Sequence, residues 1–221
     1  MRAKRIFEQK NWKKGQSLIE LTLVLTILLT LLTGMVEFGN LLNQYITVVD
    51  AAREGARFAS NDDPFIRTVT ADCASPFCLR ANFFTNIDEI VEGSLLPNGN
   101  RAPNAKGALA PIKLNPAKGD DVVISVFSIN NGVPTRFPTG EEGWSYYAYK
   151  GLTGQGSSFS TSELTSRLDP SAPDTGMVVV EIYYNYDQIL KLWDFIGVPD
   201  PIRVHAYSIM PLSAAEPTPL P

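Results

Sequence analysis

Residues 15–60 read GQSLIELTLVLTILLTLLTGMVEFGNLLNQYITVVDAAREGARFAS. From Leu18 to Val36 the stretch holds 19 residues and a single charge, Glu20. At about 1.5 Å per residue, a helix of that length spans roughly 28 Å, close to the depth of a bilayer core. The helical pattern then continues. Phe38, Leu41, Tyr45, Val48, Ala52, Ala56 and Ala59 recur at steps of three and four, and no proline interrupts the chain until Pro64. The sequence therefore predicts one helix from about Ser17 to Ser60, roughly 66 Å long. Its first part is apolar all round, with a membrane span at about 18–36, and its second part is amphipathic. The small residues Ala51, Ala52, Gly55, Ala56 and Ala59 allow close approach of another element, foremost the chain's own sheet and otherwise a neighbouring subunit.

Upstream lies MRAKRIFEQKNWKKG, with six basic residues (Arg2, Lys4, Arg5, Lys10, Lys13, Lys14) against one acid, Glu8, a net of +5. No Lys or Arg follows until Arg53. The positive-inside rule then predicts a cytoplasmic leader at 1–15 and an extracytoplasmic remainder. The whole chain of 221 residues carries −4, so the leader conceals an acidic protein. Nothing in that balance points to nucleic acid.

Three arrangements share this pattern: an uncut signal anchor, a secretory signal cut after the apolar run, and a prepilin-type signal cut before it. The apolar run is long for a secretory signal, and no small-x-small site stands at its end. Glu20 separates the others. A carboxylate at the centre of an apolar span costs about 2.5–3.5 kcal/mol, less near an end, and an anchor gains nothing from it. Four residues separate Gly15 from Glu20. A cut between Gly15 and Gln16 makes Glu20 the fifth residue, one turn from a new α-amino group on an axially staggered copy. That pairing would compensate the carboxylate. Glycine at the cut suits a narrow peptidase subsite and an unwound backbone. The four threonines of the span, Thr22, Thr26, Thr30 and Thr33, are expected to bond back to their own helix, with an interhelical polar seam as the alternative.

GQSLIEL, the apolar run and then GMVEFGNLLNQYITVVDAAREGARFAS together resemble the TadE-like family of the tight-adherence (Tad) pilus system. The resemblance covers about residues 14–60. It rests on Gly15, Glu20, Gly34, Glu37, Phe38 and Gly39, and on the AAREGAR stretch that includes Ala52, Arg53, Glu54, Gly55 and Arg57. Thr26 departs from the pattern, since family members often carry proline there. The resemblance implies a minor pilin or pseudopilin. It implies processing by a prepilin peptidase after Gly15, and partners among other pilins or pseudopilins, the Tad assembly platform and membrane lipid. It also implies an α+β, pilin-like architecture, with the long helix packed on a small antiparallel sheet. Arg53 and Arg57, four apart, are expected to pair locally with acids.

The remainder, 61–214, reads as an extracytoplasmic α+β head, followed by a Pro-rich tail at 215–221. Asn61-Asp62-Asp63-Pro64 predicts a helix stop and a short new helix from Pro64 to about Asp72. Phe83, Ile87, Ile90 and Val91 predict another helix, ended by Gly93. Cys73 and Cys78 stand between them as a disulfide candidate, worth about 2 kcal/mol for so short a loop. Residues 97–119 read as loop, with Asp120-Asp121 closing it. Strands are predicted at Asp121–Ile129, Met177–Tyr186 and Ile202–Met210. The second places Val178, Val180, Ile182, Tyr184 and Tyr186 on one face. Between the first two strands, 130–176 reads as a long insertion. Its Trp144, Tyr146, Tyr147 and Tyr149 form foremost a local mini-core or an extra strand, otherwise an exposed contact patch, with glycan stacking as the least favoured reading.

One His and two Cys leave little for metal or acid–base chemistry. His205 reads as structural, and the turn carrying Asp169 and Asp174 is explained without calcium. No phosphate loop, zinc signature or nucleophile elbow is present. No enzyme activity, metal or cofactor is expected. The other function considered is an uncleaved, signal-anchored extracytoplasmic ligand-binding module. It predicts a head that binds as a soluble fragment from about Asn61.

Overall fold

The computed structural model describes residues 3–66, 78–96, 111–140, 142–167, 174–191 and 197–215. Helix α1 runs from Ala3 to Ala59. Strands β1 (Phe65–Ile66) and β2 (Cys78–Leu79) form a small antiparallel pair, and helix α2 follows at Ala81–Leu95. After a 3-10 turn at Pro116–Lys118 come β3 (Asp121–Asn130), β4 (Val133–Phe137), β5 (Trp144–Ser145), α3 (Tyr146–Tyr149) and α4 (Thr161–Arg167). The chain then forms β6 (Thr175–Tyr186), β7 (Ile202–Pro211) and a closing 3-10 turn at Ser213–Ala215. The main sheet is antiparallel throughout, in the order β4-β3-β6-β7, with β5 pairing the start of β3.

The chain forms two compact units. One comprises Met1–Leu41 with Asp187–Asp200, and the other Leu42–Tyr186 with Pro201–Pro221. In the second unit, the C-terminal part of α1 lies on the sheet through Val48, Ala51, Ala52, Ala56 and Ala59, all buried. Gly55 allows that closeness, because a Cβ there would stand 2.5 Å from Val91 Cγ2 and 3.5 Å from Val180 Cγ1. Gly55 of the AAREGAR stretch is thus the residue that lets α1, α2 and β6 meet. The predicted amphipathic face is buried only from Val48 onward, since Phe38 and Tyr45 are exposed.

Several expectations change. No helix starts at Pro64: Asp63 Oδ1 accepts the Phe65 N–H at 3.0 Å and Pro64 O accepts the Arg80 N–H at 2.8 Å, turning the chain into β1. The rest of that predicted helix lies outside the described residues. Helix α2 passes through Gly93 to Leu95, whose side chain is buried in the core and extends the Phe83, Ile87, Val91 stripe by a further turn. The long insertion between β3 and β6 carries structure of its own. It supplies β4 as a hairpin partner, β5 as an edge piece, and a cover for the second face of the sheet. There Phe159 and Leu164 pack on Phe127 and Val179. Strand β6 is consequently buried on both faces, Val179, Glu181 and Tyr183 included.

Candidate functional site

Among the described residues one helix is long and apolar enough to cross a membrane, and its apolar window is not buried anywhere in the chain. Gly15, Gln16 and Glu20 lie on it, all exposed, with open space where a Cβ of Gly15 would stand. The backbone is helical through Gly15. Thr22 Oγ1 donates to Leu18 O at 2.8 Å, Thr26 to Thr22 O at 2.8 Å, Thr30 to Thr26 O at 2.9 Å and Thr33 to Leu29 O at 2.7 Å. Each hydroxyl proton is therefore committed within its own helix, as the spacing predicts.

One residue past the apolar run, Glu37 is fully buried. Its Oε1 accepts the Ile189 N–H and its Oε2 the Leu190 N–H, each at 2.9 Å. Two successive amides aimed at one carboxylate form an anion-binding concavity, and charge-assisted bonds of this kind are stronger than neutral ones. The residues on either side of these amides are tied in turn to Pro199 and Asp200. Gln188 N donates to Asp200 Oδ1 at 3.0 Å, Gln188 Nε2 donates to Pro199 O at 3.1 Å, and Lys191 Nζ stands 3.4 Å from Asp200 Oδ2. Of the other family positions in this unit, Phe38 and Gly39 are exposed and Gly34 is half-buried.

Further along α1, Arg53 pairs with Asp50 at 3.3 Å, and Arg57 pairs with Glu54 at 2.7 Å, all on exposed surface. Local pairing is what their spacing predicts. Ala52 and Gly55 face the core. Cys73 lies outside the described residues, as does the predicted Cys73–Cys78 bridge; only the backbone of Cys78, in β2, is described.

The aromatic segment does not form an exposed patch of four rings. Tyr146 and Tyr147 are buried and Trp144 is half-buried, stacked on Phe84 with 5.6 Å between centroids. Only Tyr149, 62% exposed, presents most of its ring to solvent. Asp121 explains why the segment turns inward. Its carboxylate is fully buried and accepts from Ser145 Oγ at 2.5 Å, Gln155 N at 2.7 Å and Tyr147 N at 3.2 Å. Asp120 likewise accepts from Asn115 N and Asn185 N, both at 2.8 Å. This acidic pair does more than close a loop, since it ties three segments to the start of β3.

On the other face, Glu181 accepts from Ser157 Oγ and Ser158 Oγ, each at 2.5 Å, from Ser158 N at 2.9 Å, and stands 3.1 Å from His205 Nε2. Burial by itself would raise the Glu181 carboxyl, but these hydrogen bonds outweigh it and hold it below the usual carboxylate range. His205 is stacked on Tyr183 and bonds to Glu181, not to a serine, so no relay to a nucleophile is formed. Asp174 accepts the Asn131 N–H at 2.6 Å, while Asp169 lies outside the described residues. Among the described residues, no three His, Cys, Asp or Glu side chains come together to hold a metal ion.

Residues 15–57 match the model of a protein family described as TadE-like protein. No curated protein and no solved structure matches the chain. With the apolar N-terminal helix, the match suggests a Tad pilus-related membrane protein, anchored by that helix.

Proposed function

We propose that the chain is a prepilin-like membrane protein of a Tad-type pilus machine, made as a precursor and cut between Gly15 and Gln16 by a prepilin peptidase. The +5 leader stays in the cytoplasm and the head stands outside. The mature protein serves as a minor pilin or pseudopilin, with other pilins and the assembly platform as partners and Glu20 as the polar contact for a neighbour's new N-terminus. The observation that carries this reading is the family match itself. It begins at Gly15, takes in Glu20, and runs through Glu37 to Arg57. Cutting requires the turn around Gly15 to open. Glycine assists, because it weakens a helix by about 0.5–1 kcal/mol relative to alanine. The chain is here a substrate of chemistry and not its agent. A ligand-binding module is the weaker reading, because two of its four proposed contact rings are buried.

The test is the intact mass of protein extracted from membranes of a cell with a working Tad system. The expected mature chain starts at Gln16. A chain that keeps residues 1–15 overturns the processing step and, with it, the pilin reading.

A further inference from the structure

Asp187–Asp200 belongs to the same compact unit as the N-terminal part of α1, and Glu37 holds Ile189 and Leu190 there through their two amides. Glu37 follows Val36, the last residue of the apolar run, so the amides of Ile189 and Leu190 lie within one hydrogen bond of the level at which the helix leaves the apolar layer. The two side chains at that level are apolar and turned outward, Ile189 60% and Leu190 44% exposed. Val36 and Phe38, on the same turn of the helix, are exposed as well. A polar loop would hold its amides to a carboxylate equally well. The pairing of a buried polar anchor with two exposed aliphatic side chains is what a segment needs to rest its apolar side in the headgroup–acyl boundary.

We infer that the Ile189–Leu190 segment is a second membrane contact, inserted into the outer-facing lipid interface and held at that depth by Glu37. Its ligand is the bilayer that surrounds the helix, and the contact fixes how far the helix can slide along the membrane normal. The inference rests on the reading of α1 as a membrane anchor.

The full-length protein is reconstituted into phosphatidylcholine–phosphatidylglycerol nanodiscs at one copy per disc. An environment-sensitive fluorescent amino acid is placed at position 25, 189 or 149, and brominated lipid serves as the quencher. Quenching at 25 and 189 but not at 149 is the expected result. In the Glu37→Ala protein, position 189 should lose its quenching while position 25 keeps it. Quenching at 25 without quenching at 189 overturns the contact and leaves the anchor standing. Absence of quenching at 25 overturns the anchor itself. Shielding of 189 that appears only when several copies share a disc identifies a second chain as the occupant and overturns the lipid assignment.

Discussion

Glu37, Asp121 and Glu181 are buried carboxylates supplied with donors, whereas Asp88 on α2 is buried with an Oδ1 that meets no hydrogen-bond partner among the described residues. Burial first, and then the nearby charge of Glu92, pushes the Asp88 carboxyl up to about 8, against the opposing pull of Lys150. The two kinds of site give opposite pH dependence. Asp88 takes up its proton far more readily in the folded chain than in the unfolded one. Its contribution is complete below the unfolded value of about 3.9 and drains away as pH rises towards 8. Glu181 is depressed by folding, so its contribution is present above about 4.3 and is lost as pH falls through its lower folded value. These two groups therefore predict thermal stability that rises from pH 8 down to about 5 and falls again under stronger acid. Asp88→Asn should flatten the alkaline limb when unfolding of the detergent-solubilised protein is followed across that range. An unchanged slope in the variant would remove Asp88 as its source.

At the level of elements, α1 shows that two glycines on one helix have opposite uses. A Cβ at Gly39 meets nothing within 4 Å, whereas one at Gly55 collides with Val91. Gly39→Ala is expected to leave stability unchanged or raise it by up to about 1 kcal/mol, from helix propensity. Gly55→Val should cost about 1–3 kcal/mol by overpacking, measured by denaturant unfolding; equal effects at the two positions would contradict the packing. The long helix and its small-residue face were legible because a 3.6-residue period survives over many turns. Strands β3, β6 and β7 were legible from their β-branched runs. The cover on the second face of the sheet was not. It is built from a Ser- and Thr-rich stretch whose apolar contribution is Phe159 and Leu164, too sparse for any period to register. The partners of Glu37 were equally hidden. They are main-chain amides 152 and 153 residues away, and an amide leaves no mark on residue type. The inward turn of Tyr146 and Tyr147 depends on Asp121, read from sequence as an ordinary loop end.

For the molecule as a whole, the division of α1 between two units decides where a soluble fragment can begin. A fragment from Asn61 loses Val48, Ala51, Ala52, Ala56 and Ala59 and bares the face of the sheet that carries Val178, Val180 and Ile182. A fragment from Leu42, where the second unit begins, keeps that cover. The longer fragment should be a soluble monomer with a cooperative unfolding transition by circular dichroism. The shorter one should aggregate or bind a hydrophobic dye, and equal behaviour would argue against the helix as part of the core. The threonine ladder has its own consequence at this scale. Because each hydroxyl proton is already donated to a carbonyl of the same helix, the lipid-facing rod offers neighbours no threonine donor at those positions. Between residues 18 and 36 it is a smooth shaft with a single notch, Glu20. Any charged side-chain contact made along that shaft therefore falls at Glu20, near its N-terminal end.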